Sequence, residues 1–257
     1  MKKTLIALVL ATASVSGSAM ADGGVIQLGG ILTPQLNPVG WQVSVGASKQ
    51  DLNANVREGA TEVNIPVQSP ISVLGIGLKT KELFYGREGI SPQIDYHGAF
   101  SGFKNSEAPL NLKVKNADGV EIGTLSAPLL AGAEISFTTS IRGVDPKLTA
   151  RRFGVIASQK GDAFFGGLPA NKDGYSSDAV ARVIAINPKF NSNYDTQGAK
   201  LLSDVKTEAF KLHSSHYSAF YGSGIEAGKS ISIKLNKPMV ADTLTWTASL
   251  PITVTYI

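Results

Sequence analysis

Residues 249–257 read SLPITVTYI. From Leu250 the side chains alternate, with Leu250, Ile252, Val254 and Tyr256 on one face and Pro251, Thr253 and Thr255 on the other. That is the period-2 pattern of a half-buried strand. Terminal residues are usually frayed and polar unless something ties them down. A β-branched, aromatic strand running to the second-last residue therefore raises the question of what holds it there.

The opposite end predicts the compartment. MKKTLIALVLATASVSGSAMA (1–21) has two lysines, an apolar run from Leu5 to Ala11 and small residues ending in Ala19-Met20-Ala21. This is the pattern of a secretory signal peptide cleaved after Ala21. The apolar run is far shorter than the roughly 20 residues needed to span a bilayer. The mature chain is expected to begin DGGVIQLGG and to be exported.

Composition narrows the class. Taking 21 residues from 257 leaves 236, enough for one large β domain or two small ones. Removing Lys2 and Lys3 takes the formal charge from +4 to +2, which gives no electrostatic case for nucleic acid. There is no cysteine, so thiolate metal sites and cysteine nucleophiles are excluded. An exported chain without disulfides draws its stability from its core, a metal or neighbouring subunits.

Strand patterns dominate the first half. VIQLGGIL (25–32), WQVSV (41–45), TEVNIPV (61–67), ISVLGIGL (71–78), LNLKVK (110–115), VEIGTLSAPLL (120–130) and AEISFTTS (133–140) are short and β-branched. Asn37-Pro38, Ser69-Pro70 and Ala117-Asp118-Gly119 punctuate them, which suggests a sandwich or barrel. Asp118-Gly119 marks the tip of the clearest hairpin. Residues 145–215 change character. SSDAVARVIAI predicts a helix capped by Ser176 or Ser177 and ended by Asn187-Pro188. GAKLLSDVKTEAFKL predicts a second, with Leu201, Leu202, Val205, Ala209 and Leu212 on one face. Strands resume with SAFYGSG, SISIKL (230–235) and the C-terminal segment. The expected domain is a β-sandwich over 41–257 carrying a partly helical insertion at about 145–215.

Motifs for catalysis are poor. His213 and His216 are three apart and would share a helical face as metal ligands do, but no acidic third ligand stands beside them. No G-x-S-x-G elbow occurs. GSGIEAG (222–228) has the wrong glycine spacing for a dinucleotide loop and reads as a turn. No catalytic residue, cofactor or metal site is expected. Lys147, Arg151 and Arg152 form a basic cluster suited to a solvated loop, an anionic sugar or a neighbouring subunit.

Residues 22–40 form an arm bordered by Gly and Pro around one short apolar strand. Ile26, Leu28, Gly30 and Leu32 share one face of it. Such an arm either begins the domain's own sheet or adds a strand to another subunit's sheet, as in donor-strand complementation. MKKTLIALVL, the VIQLGGIL arm, HYSAFYGSGIEAG (216–228) and LTWTASLPITVTYI (244–257) together resemble the FaeG-type, kappa-class chaperone–usher fimbrial subunits of enteric bacteria. The likeness is strong at both ends and diffuse between them.

The resemblance implies an incomplete immunoglobulin-like β-sandwich with a partly helical insertion, completed by a donor strand from another subunit. It also implies three kinds of partner: neighbouring fimbrial subunits, a periplasmic chaperone and an outer-membrane usher. Some members are adhesins that bind host glycoconjugates through the insertion, where Phe153, Phe164, Phe165 and Tyr175 either stack on a sugar face or, as aromatics in such an insert more often do, pack it onto the sandwich. Carried onto this chain, Ile26, Leu28, Gly30 and Leu32 are the donor face, with Gly30 where the groove is narrowest. Leu250, Ile252, Val254 and Tyr256 line the groove's edge strand, and Ile257 offers its carboxylate to the chaperone. Many pilins have a glycine about fourteen residues from the C-terminus; here that position is Leu244. The alternatives are an exported monomeric sugar-binding domain or hydrolase and an outer-membrane β-barrel, whose strands would need about 9–11 residues and aromatic girdles.

Overall fold

The computed structural model describes residues 39–240 and 243–257, together with the backbone of residues 24–26. The expected signal peptide and most of the arm lie outside the described residues. In chain order the strands are β1 (Gly24–Ile26), β2 (Trp41–Val45), β3 (Glu62–Pro66), β4 (Ile71–Leu78), β5 (Phe84–Tyr85), β6 (Pro92–Asp95), β7 (Glu107–Asn116) and β8 (Glu121–Thr139). A short helix α1 (Pro146–Thr149) leads to β9 (Arg151–Gly154), and helix α2 (Ala179–Ile186) follows. The chain ends with β10 (Ser215–Ile225), β11 (Ser230–Leu235), β12 (Trp246–Ala248) and β13 (Thr253–Tyr256).

The hairpin expected at Asp118-Gly119 forms β7 and β8. Asn116 Oδ1 accepts bonds from the backbone N–H groups of Asp118 (3.1 Å) and Val120 (2.9 Å). Gly119 supplies the left-handed turn residue at φ +79°.

β8, 19 residues long, organises the rest. Its first half lies between β7 and β11, and its second half between β10 and β9. A strand that changes partners along its length carries the chain from one layer to the other. Beside the first half, burial in β7 alternates, with Leu110, Leu112 and Val114 inward and Asn111, Lys113 and Lys115 out in solvent. That layer is covered on one face only. Beside the second half, β4 and β10 are buried almost continuously, the mark of a sheet covered on both faces.

The second cover is the insertion. α2 turns Val180, Val183 and Ile186 onto Leu130 of β8 and Phe220 of β10, and Phe190 joins them just after the helix. Phe190 sits so close to the sheet that a Cβ at Gly75 or Gly222 would lie 2.5 or 2.4 Å from its ring. The glycines in GIG and YGSG make room for that ring. Arg182 of α2 fastens the rim, binding Glu226 through two bonds (2.9 and 2.6 Å) and also pairing with Glu107. Lys229 reaches Glu107 at 2.9 Å. Partial burial alone would raise the Glu107 carboxyl, but the bonds from Lys229 and Arg182 outweigh it and hold that group below its usual range.

Aromatic rings fill the inner space. Trp41 of β2 packs edge-on to Phe84 of β5 at 5.2 Å and to Phe164 of the insertion at 6.0 Å. Phe210 meets both Phe84 and Tyr217 at 5.2 Å. The insertion is thus rooted in the main core as well as lying over the sheet.

Several expectations change. Residues 120–130 and 133–140 form one strand. GSGIEAG is a turn only from Glu226, because Gly222–Ile225 complete β10. The helix expected in 198–212 does not form. That segment instead runs extended along β9, with Leu202 N–H bonding Arg152 O (2.8 Å) and Lys206 N–H bonding Gly154 O (3.1 Å). Leu201, Leu202 and Leu212 are exposed while Val205 and Phe210 are buried, so tertiary partners override the helical spacing. His213 and His216 consequently share no helical face; His216 lies in β10 and packs at a tilt against Tyr85, ring centres 4.1 Å apart.

Phe190→Ala should cost about 3–4 kcal/mol through the cavity it leaves. For a domain of this size that is about 10 °C in Tm, readable by calorimetry. Gly222→Val should do at least as much harm by driving Phe190 off the sheet.

Candidate assembly edge

The C-terminal segment keeps the expected alternation but is a shorter strand than expected. Pro251, which has no N–H to give a ladder, separates β12 from β13, so Leu250 and Ile252 precede the paired residues. Their side chains still face the core: Leu250, Ile252 and Val254 are all buried. Thr253 and Thr255 are half-buried on the other face. Tyr256 is half-buried as well, and desolvation raises its hydroxyl pKa. The Ile257 side chain is exposed.

β13 pairs antiparallel with β6, with Thr253 opposite Asp95 and Thr255 opposite Gln93. β6 was not foreseen in the sequence, where Pro92 and the short run PQID hide it. Ser91 and Ile257 exchange both backbone bonds, at 3.0 and 3.1 Å. By antiparallel alternation Thr255 and Thr253 make the corresponding pairs, and Val254 turns its N–H and C=O away from β6. The other edge of β6 meets the insertion, through Ile94 N–H to Phe165 O (2.8 Å) and Phe164 N–H to Pro92 O (2.7 Å). Among the described residues β6 is the one strand paired with β13.

β2 has the same one-sided character. Its ladder partner among the described residues is β4, in the register Trp41–Leu78 to Val45–Leu74. β13 and β2 meet at Ile90 and Ser91. Trp41 Nε1 donates to Ile90 O at 2.9 Å, and Ser91 is bonded to Ile257 as above. At that seam the Ser91 hydroxyl is buried without a hydrogen-bond partner among the described residues. Such a group is uncommon in a finished core.

Tyr96 ties the β6–β13 pair to the body. Its hydroxyl is 2.9 Å from both the Tyr221 hydroxyl and Ser223 Oγ, and Ser223 Oγ donates to Leu74 O at 3.4 Å. Burial pushes the Tyr96 pKa up to about 12.

At the other end of the chain, the backbone of β1 lies parallel to β12, with Gly24, Val25 and Ile26 opposite Trp246, Thr247 and Ala248. Of the four arm positions only Ile26 is in this strand; Leu28, Gly30 and Leu32 lie outside the described residues. Of the aromatic candidates in the insertion, Phe153 and Phe164 are buried in the core. Phe165 is half-buried, at a cleft of about 460 Å³ shared with Phe100, Asp95, Lys160, Thr253 and Thr255. Of the basic cluster, Arg152 is bound through Nε to the buried Glu134 at 2.5 Å, while Lys147 and Arg151 are exposed. Among the described residues no cluster of three or more acidic or histidine side chains suited to a metal ion occurs.

The features define a mainly β protein, consistent with a β-sandwich, in which β13 and β2 meet at a seam. The chain belongs to the family described as fimbrial, major and minor subunit, which matches residues 1–257. It is similar to the F41 fimbrial protein of Escherichia coli, 28% identical over the full length of both chains. The K88 fimbrial proteins AB and AC of Escherichia coli are each 26% identical, again over the full length of both chains. The chain is a fimbrial subunit, and its relatives are proteins of surface fimbriae.

Tyr96→Phe should break the hydroxyl chain beneath β6 and leave Tyr221 and Ser223 short of a partner. The expected loss is about 1–2 kcal/mol, seen as a Tm lower by about 3–6 °C.

Proposed function

We propose that this subunit polymerises by donor-strand exchange. Its immunoglobulin-like sandwich lacks one strand, and a neighbour's arm supplies it between β13 and β2. The observation that carries the reading is Val254: its side chain is buried, yet its backbone groups point away from β6, the strand paired with β13 among the described residues. A strand edge of that kind is a template for another chain. The unbonded Ser91 hydroxyl at the seam supports a site that is finished by addition. The arm offers the matching pattern, with Ile26, Leu28, Gly30 and Leu32 on one face.

In this reading a periplasmic chaperone first covers the edge formed by Leu250, Ile252, Val254, Tyr256 and Ile257. An outer-membrane usher then directs exchange for the next subunit's arm, and the fibre reaches the cell surface. The signal peptide and the arm beginning after Ala21 fit that route. Attachment to host cells is part of the proposal. If the subunit itself contacts a glycoconjugate through the aromatic candidates, Phe165 is better placed to offer a ring face than the buried Phe153 and Phe164.

Leu28→Asp places a carboxylate in an apolar slot, at a cost of several kcal/mol while it stays ionised. Fibres should be absent or very short by electron microscopy, while the subunit still accumulates with its chaperone. Normal fibres from Leu28→Asp would overturn the donor assignment.

A further inference from the structure

Eleven large apolar side chains are exposed among the described residues, and eight of them fall in three segments, 79–88, 140–152 and 199–213. These segments are neighbours at one end of the molecule. The 140–152 loop springs from the last ladder pair of β8 and β10, Thr139 with Ser215. Ser140 N–H bonds Ser214 O at 2.8 Å, Gly86 N–H bonds Ser215 O at 3.2 Å and Arg87 N–H bonds Phe210 O at 2.7 Å. Leu202 N–H bonds Arg152 O at 2.8 Å. The loop is clamped at its base, where Thr149 Oγ1 donates to Thr139 O at 2.9 Å. Beyond the clamp it is uncovered among the described residues: no residue of α1 is buried. Leu148 is 73% exposed and Ile141 52%; Tyr85 across the same end is 60% exposed.

Charge marks the same place. The three segments hold ten Lys and Arg against five Asp and Glu, whereas the whole chain holds 24 against 20. Arg142, Lys147, Arg151, Lys200 and Lys211 belong to none of the described ion pairs. Scattered exposed apolar residues are ordinary, but a contiguous group marks an interaction surface.

We propose that this end of the subunit binds an anionic lipid surface. The loop exposes the aliphatic side chains of Ile141, Val144 and Leu148, suited to entering the soft boundary between headgroups and acyl chains. The surrounding lysines and arginines can lie along the apolar surface with their charges among anionic headgroups, and Tyr85 is an interfacial residue type. A soluble polyanion would satisfy the cations but leave Ile141 and Leu148 without a role. A second copy presenting the same end would bring like charges together.

The test is flotation of the purified mature chain with vesicles of phosphatidylcholine alone or mixed with phosphatidylglycerol. The chain should float with the mixed vesicles, weakly with phosphatidylcholine alone, and less as salt rises. Arg142→Glu and Lys147→Glu should each weaken binding by at least roughly fivefold, the loss expected for one surface cation. Ile141→Asp with Leu148→Asp should weaken it at least as much while changing Tm little, because both side chains are exposed. Failure to float, equal flotation on both vesicles, or full binding by the double aspartate variant would each overturn the proposal. Heparin binding that survives the double aspartate change, without flotation of the unaltered chain, would identify a polyanion site instead.

Discussion

One strand serves two layers. β8 bonds to β7 and β11 through its first half and to β10 and β9 through its second, so the two halves of the fold share a backbone. The consequence is asymmetric burial. The layer beside the first half exposes a polar face, while the layer beside the second is apolar on both sides and must be roofed. The insertion supplies that roof, and its Phe190 needs the missing side chains of Gly75 and Gly222 to reach the sheet. Insertion and sheet therefore depend on each other.

The same arrangement sets the place of the proposed assembly edge. The insertion covers one edge of β6 and fixes its position, and β6 holds β13 by the opposite edge. What lies beyond β13 is the proposed site of the neighbour's arm, beside the one-sided β2. Trp41 and Ile257 meet across Ile90 and Ser91, so the aromatic core and the assembly edge are directly joined. A partner strand there would extend the core as well as the sheet.

Much of the fold was legible where turn residues bracket a β-branched run. β2, β4 and β11 match WQVSV, ISVLGIGL and SISIKL residue for residue, and α2 stops before Asn187-Pro188 as expected. The sequence misled where backbone groups find distant partners. Residues 198–212 carry helical spacing, but β9 and Phe210's aromatic neighbours hold them extended. β5 and β6 are too short, and β6 too proline-marked, for a periodic signal. At the edge itself, the buried alternation of Leu250, Ile252 and Val254 was readable, but the partner strand and the break at Pro251 were not. Nor did the spacing distinguish Phe164, which packs on Trp41, from Phe165, which borders a cleft.

The central claim is that the subunit's own sandwich is one strand short. The most direct test compares thermal melts and light-scattering masses of two altered chains. One lacks residues 22–33; the other carries that segment after Ile257 on a short flexible linker. The account predicts an unstable or aggregating first chain and a stable monomeric second one. Two equally stable monomers would contradict it, because the sandwich would then be complete without a donor.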